Sequence, residues 1–247
     1  MKRLVIAGIV FSLLISSFEI LVPQRAYAGD KEESIAVAVA EYLISGRAVI
    51  AKNQALINDA SKGDKGFTPA AYEAQVRQEF LARTKMDITL INKSMTDDFS
   101  HTLYAVHTSA KEVIGEAQSQ INEQGKAFKG FNPAVYGART GKKLKERTDV
   151  TLKQTSIRYR GDYNKPDEFE TAVLKKFETG ERGKPHFEDA VVDGKKSVRY
   201  MFPLYIEQSC LTCHGDPAGE KDVSGRIKEG YKLGDTRGAI SVTVPVR

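Results

Sequence analysis

The stretch FEDAVVDGKKSVRYMFPL, which runs from Phe187 to Leu204, predicts a β-hairpin. Both arms are rich in β-branched and aromatic residues, and Asp193-Gly194 between them is a dipeptide that favours a tight two-residue turn. A further strand is predicted at Gly238–Val244, whose alternate apolar residues would share one face. These segments predict a small antiparallel sheet in the C-terminal part of the chain.

Towards the N-terminus the apolar spacing changes to a period of about 3.6 residues, which is typical of helices. Two positions, Thr68-Pro69 and Asn132-Pro133, carry an N-cap residue followed by proline, a pattern that marks the start of a helix. The predicted helices span 33–59, 68–90, 99–128, 132–147 and 167–178, and a β-favouring run covers 152–159.

Helices followed by an antiparallel sheet are typical of the α+β class. We therefore expect a long helical N-terminal region at about 29–147 and a sheet region at about 148–247, with a soft boundary between them. The chain has 247 residues and no internal repeat, which is enough for one domain with a sizeable core.

The pentapeptide Cys210-Leu211-Thr212-Cys213-His214 lies between the hairpin and the last strand. It has the C-x-x-C-H pattern at which a c-type haem is attached covalently. The two thiols are spaced to add to the vinyl groups of one porphyrin, and the histidine follows as the proximal iron ligand. The sequence therefore predicts one covalent haem c, bound by Cys210, Cys213 and His214.

Two other uses of paired cysteines compete with haem attachment. A four-ligand zinc or iron–sulfur site needs more ligands, because Cys210 and Cys213 are the only cysteines of the chain. A disulfide between them would suit an oxidising compartment. The adjoining histidine favours haem, and a pyridine haemochrome assay separates the two outcomes.

The N-terminus has the layout of a secretory signal peptide, predicted at residues 1–28. Lys2 and Arg3 precede a mostly apolar run that reaches Val22, and an A-x-A cleavage site ends at Ala28. Cleavage after Ala28 predicts a periplasmic protein without a stable membrane span, because no second apolar run approaches transmembrane length. The alternative is an uncleaved membrane anchor.

The formal net charge is +5, and part of it lies in the predicted signal peptide. Basic and acidic residues are interspersed along the rest of the chain, so no basic tract predicts nucleic-acid binding. The mild positive charge is compatible with an acidic redox or signalling protein as partner, without identifying it. A homodimer stays an open alternative.

The sixth iron ligand decides what a haem protein does, because a firm ligand gives a redox centre and an open position admits diatomic gases. Met201 is the first candidate, since its strand leads into the motif, and His186 before the hairpin is the second. Core filling is the alternative for Met201, and an exposed loop position is the alternative for His186. His101 and His107 are six residues apart on a predicted helix, on different faces.

Three arginines in strand-like segments, Arg158, Arg160 and Arg199, are candidates to bind the haem propionates. A guanidinium group forms bidentate, charge-assisted hydrogen bonds with a carboxylate. The alternative is ordinary ion pairing at the surface.

Several stretches of the chain resemble the Tll0287-like family, also called DUF3365. They are KQTSIRYR at 153–160, NKPDEFE at 164–170, RYMFPL at 199–204, CLTCHG at 210–215 and GDTRGAISV at 234–242. The resemblance covers about 130–245 well and the preceding helical region more loosely. It implies a PAS-like antiparallel sheet flanked by helices, with haem against the sheet, thioether bonds at Cys210 and Cys213, and His214 as the proximal ligand.

Two features depart from the family pattern. The usual R-N-P-x-N-x-P-D run is replaced by RGDYNKPD at 160–167, so the resemblance does not imply the conformation of this loop. Some relatives use a cysteine as the distal ligand, and both cysteines here belong to the motif. The distal ligand must therefore differ, which keeps Met201 and His186 as candidates.

The predicted function is that of an exported monohaem c-type cytochrome that senses redox state or transfers single electrons. The alternative is a gas-binding sensor for NO or CO with an open or displaceable sixth iron position. Enzyme activity is less favoured, because G-x-S-x-G, H-E-x-x-H, P-loop and G-x-G-x-x-G motifs are absent and no distal His–Arg pair is evident.

Overall fold

The computed structural model describes residues 31–180 and 182–247, so the predicted signal peptide lies outside the described residues. The first half contains α1 (Lys31–Lys52), α2 (Gln54–Ile57), α3 (Pro69–Thr84), α4 (Asp98–Glu116), α5 (Gln118–Ile121) and α6 (Pro133–Arg147). The second half contains β1 (Thr151–Thr155), α7 (Glu168–Thr179), β2 (His186–Val192), β3 (Lys195–Tyr205), α8 (Leu211–His214) and β4 (Thr236–Pro245).

The four strands form one antiparallel sheet in the order β1-β4-β3-β2. The β2–β3 turn is the predicted Asp-Gly turn, in which Asp193 has φ 49° and Gly194 has φ 77°. Glycine adopts this left-handed region without steric cost, which is why the dipeptide favours the hairpin. The predicted α+β class, with an antiparallel sheet flanked by helices, is confirmed.

Helix α1 is the centre of the main core. It packs against α3, α4 and α6 and against the sheet strands β3 and β4. The expectation that no second apolar run approaches transmembrane length is wrong, because α1 is the one described helix that is long and apolar enough to cross a membrane. Yet 61% of its most apolar stretch is buried within the fold. That burial is also what a core helix shows.

Helix α7 covers the other face of the sheet. Val173 and Leu174 form a second, smaller apolar cluster with Met201 and Ala239. Successive residues of a strand point to opposite faces, so Tyr200 joins the main core while Met201 faces α7. The sheet therefore separates a large helical layer from a single short helix.

Some elements end earlier than their sequence patterns predict. Helix α3 ends at Thr84 rather than near residue 90, because Lys85 adopts a left-handed φ of 62° and Asp87 caps a separate short turn. The helix predicted at 99–128 is divided into α4 and α5. Strand β1 stops because the backbone N–H of Ser156 is directed to the carbonyl of Asn164, 3.4 Å away.

Candidate functional site

The C-x-x-C-H motif occupies the irregular segment between β3 and β4. A 3₁₀ turn at Gln208–Cys210 leads directly into α8, which contains Cys213 and His214. The cysteines are three residues apart on consecutive helical turns, where side chains are neighbours. Both thiols are free and partly exposed, and burial raises the pKa of Cys213. One short helical stretch therefore presents two thiols and an imidazole together.

A carboxylate fixes the imidazole of His214. Its Nδ1 lies 2.8 Å from Oε2 of Glu229, and the two side chains are 21% and 12% exposed. Burial, aided by the positive charge of Arg237, lowers the pKa of His214 to about 4, so the ring is neutral at neutral pH. A neutral ring that donates from Nδ1 keeps Nε2 as an electron-pair donor, the form that ligates a metal.

Arg160 fixes Glu229 in turn. Its Nε and Nη2 donate to the two carboxylate oxygens at 2.6 and 2.7 Å. Its Nη1 donates to Asp222 at 2.6 Å, and Nη2 also donates to the carbonyl of Cys213 at 2.6 Å. Arg160 thereby joins the loop after β1, where the chain departs from the family pattern, to the motif and to both acids.

The two acids of this network are ionised at neutral pH. Burial would raise the pKa of Asp222, but hydrogen bonds from Ser224 and Arg160 outweigh it and lower the pKa to about 2. Burial also acts against ionisation of Glu229, and the hydrogen bonds from Arg160 and His214 lower its pKa all the same. Arg160, Asp222 and Glu229 therefore form a network of paired charges beside the imidazole of His214.

Two further arginines near the motif were not predicted. Arg47 of α1 lies near Cys210, and burial lowers the pKa of its guanidinium group to about 10. Its Nη1 donates to the carbonyl of Pro133 at 3.2 Å, and no carboxylate of the described residues lies within 4 Å. Burial also lowers the pKa of Arg237, whose nearest carboxylate, Glu229, is 3.8 Å away.

Partly buried guanidinium groups without a close carboxylate suit a ligand that brings its own anions. Haem carries two propionates, so Arg47 and Arg237 fit that group, as does the free Nε2 of His214. A cation within the apolar helix α1 was a signal that could have identified Arg47. Glu229 lies in a loop without periodicity, and no local pattern marks it.

The three arginines predicted for the propionates lie in two places. Arg158 and Arg160 are beside the motif, where the Arg158 guanidinium lies 3.7 Å from the ring centre of Tyr231. Arg199 lies on the α7 face of the sheet and forms an ion pair of 2.7 Å with Asp167. Their binding of propionates stays a prediction.

The two predicted candidates for the sixth ligand are directly paired across β2 and β3. His186 is opposite Met201 in the register, so both side chains lie on the α7 face. Met201 is fully buried in the small apolar cluster beneath α7, where it packs as a core methionine does. Nε2 of His186 lies 3.3 Å from Oε2 of Glu188. Their role as ligands stays a prediction.

The predicted helical histidines are remote from the motif in sequence and do not form a pair. His107 is hydrogen bonded by Nδ1 to Tyr42 at 2.9 Å and by Nε2 to Glu73 at 3.1 Å. It therefore belongs to the polar contacts of the helical layer.

Comparison with known proteins identifies the family. A family model of the Tll0287-like proteins matches residues 25–245. Among solved structures, the cyanobacterial heme-protein Tll0287 is similar with a TM-score of 0.42 and 19% sequence identity, over 62% of this chain and 98% of that chain. No curated protein matches the chain. The family match spans nearly the whole sequence, and the chain therefore belongs to the Tll0287-like family.

Proposed function

We propose that this protein is an exported monohaem c-type cytochrome that transfers single electrons or senses redox state. The observation that carries the proposal is the C-x-x-C-H turn, in which Glu229 holds the neutral His214 in the tautomer that ligates iron. Family membership and the name of the heme-protein Tll0287 support it.

Each residue of the site has a distinct role in this proposal. Cys210 and Cys213 would form the thioether bonds, and Nε2 of His214 would bind the iron. Arg47 and Arg237 would pair with the propionates, which would give each of these partly buried cations a close anionic partner. The bound haem would supply a one-electron couple. The antiparallel sheet would be the PAS-like platform that the family resemblance implies.

Glu229 acts in this proposal as a positioning residue. An anionic acceptor at Nδ1 makes the imidazole a stronger electron donor and thereby favours ferric over ferrous iron. In Glu229→Gln the neutral amide should raise the reduction potential by roughly 60 mV, which corresponds to about a tenfold change for one electron. Glu220→Gln in the same loop is the matched control, and an equal potential in both variants would contradict the role.

A gas-binding sensor is the second candidate. It is favoured by the packing of Met201, whose side chain is buried beneath α7 rather than presented at the surface. If no strong sixth ligand is provided, the ferrous iron takes up CO.

Spectroscopy of the holoprotein distinguishes the two candidates. The full precursor is expressed with a haem-maturation system, and the reduced spectrum is recorded with and without CO. A low-spin spectrum that CO does not change supports electron transfer or redox sensing, whereas ready CO binding supports the gas sensor. N-terminal sequencing of the periplasmic product tests cleavage after Ala28.

A further inference from the structure

The network that fixes His214 also forms the wall of a surface groove. The groove has a volume of about 530 Å³ and lies between segments 158–160 and 221–229. Arg160 and Glu229 both line it, and Glu229 is hydrogen bonded directly to the proximal imidazole. A molecule seated in this groove is therefore separated from His214 by a single side chain.

The exposed charges of the groove are basic and unneutralised. Arg158, Arg226 and Lys228 donate to backbone carbonyl groups, and Lys221 is exposed. Within residues 31–180 and 182–247, no carboxylate forms an ion pair with any of these four side chains. Two acids at the wall of the groove are occupied, because Asp222 is fully buried against Arg160 and Glu229 is bound by Arg160 and His214. The groove therefore attracts negative charge.

Apolar side chains accompany these bases. Ile227 is 53% exposed and Tyr159 is 39% exposed, and both line the groove. Exposed apolar surface with a charged rim is typical of protein interfaces, in which charge complementarity steers the encounter. A small anion would use the bases alone and would leave the apolar part of the groove uncovered.

We propose that this groove is the docking surface for an acidic electron-transfer protein, such as a small iron–sulfur protein. The inference rests on the proposed haem function. A docked partner would give up one electron from its cluster, which would be oxidised, and the haem held by this chain would accept that electron and be reduced. No bond is made or broken in the step. The bases hold the acidic partner at the side of the molecule where Glu229 meets His214.

Electron transfer from a probe protein tests the proposal. The probe is a reduced plant-type ferredoxin, whose potential of about −400 mV makes it a strong donor. Its rate of reduction of the ferric holoprotein is measured by stopped flow at low and high salt. The Lys221→Glu/Lys228→Glu variant reverses two charges of the groove. The control, Lys195→Glu/Lys196→Glu, makes the same charge change on exposed residues of the β2–β3 hairpin.

The groove variant should be reduced at least about tenfold more slowly than the parent at low salt, because electrostatic steering changes association rates by 10-fold or more. The control should stay within about twofold, and high salt should remove the difference through screening. Equal slowing in the two variants, or none in the groove variant, overturns the proposal.

Reduction by a neutral photoreduced flavin distinguishes a defect in docking from a change in the haem itself. It should reduce the parent and both variants at the same rate, which shows that the haem itself is unchanged. If the flavin reduces the groove variant more slowly as well, the effect lies in the haem and the docking proposal is overturned. If the purified chain carries no haem, the proposed function itself fails.

Discussion

The helical half and the motif segment of this molecule are stabilised in different ways. Helices α1–α6 enclose an apolar core with large buried side chains such as Tyr42, Phe80 and Phe131. Segment 206–235 contains little regular structure, and its buried apolar residues are Ile206 and Tyr231. Its position depends instead on the ion pairs of Arg160.

The candidate binding segment is thus positioned without an apolar core of its own. Apolar burial is non-directional and tolerates many arrangements, whereas a buried ion pair is favourable only with its partners in place. The helical half provides the platform, and the charged network sets the orientation of His214. Substitutions in the two regions should therefore have separable effects.

The largest effect is expected from Gly46→Ala in α1. A Cβ atom there would lie 2.0 Å from Oη of Tyr136 and 2.7 Å from Oη of Tyr72, so the core must shift. We expect the free energy of unfolding to fall by about 3 kcal/mol, at the upper end of overpacking costs. Urea unfolding followed by circular dichroism measures it. Gly63→Ala, whose nearest neighbour would be at 3.8 Å, is the control, and equal loss in both would contradict the account.

A smaller and local effect is expected from Arg160→Gln. This change leaves Asp222 buried without its ion-pair partner and removes the bidentate partner of Glu229. We expect the free energy of unfolding to fall by about 2 kcal/mol, less than for a fully buried pair, because the Arg160 side chain is 15% exposed to solvent. Amide hydrogen exchange should become faster in segment 206–235 and stay unchanged in α1. Arg226→Gln serves as the control, since its exposed side chain contacts a backbone carbonyl. Faster exchange throughout the chain would show that the two regions are not separable.

Acid should loosen the motif segment. The pKa of Asp222 is about 2 in the folded chain against an ordinary value of 3.8. Because folding lowers this pKa, the ion pair stabilises the segment fully above about pH 4 and is lost as the pH falls towards about 2. Exchange at residues 216–229, corrected for intrinsic rates, should rise over this interval. An Asp222→Asn variant that keeps the same pH response would refute the assignment.

The smallest effect is expected from Asn132→Ala at the start of α6. The side chain accepts the backbone N–H groups of Ala134 and Val135, and loss of such a cap costs about 1 kcal/mol. Asn132→Asp retains an acceptor and should restore the stability. Segment 206–235 should exchange at its original rate in both variants, and a change there would contradict the comparison.

Local chemistry was sufficient to predict the hairpin turn and two helix starts. Asp193-Gly194 predicted the hairpin turn, and Thr68 and Asn132 predicted two helix starts, because each acts on backbone groups within three residues. The end of α3 at Lys85 was not predicted, since the helical pattern continues through it and no glycine or proline marks the break.

The candidate site likewise contains residues that a local pattern marks and residues that only the folded structure brings together. The spacing of the motif was enough to mark Cys210, Cys213 and His214. Glu229 is 15 residues from His214 and 69 from Arg160, so their contact exists only after the chain folds. A carboxylate in an irregular loop has no pattern that distinguishes it from a solvated one.

Covalent haem content decides whether Cys210 and Cys213 attach a haem as proposed. The precursor and its Cys210→Ala/Cys213→Ala variant are co-expressed with a haem-maturation system and examined by intact mass and pyridine haemochrome. We predict one covalent haem in the parent protein and none in the double variant. Both proteins should keep their helical circular dichroism. A parent chain without covalent haem, or with a Cys210–Cys213 disulfide in its place, would contradict it.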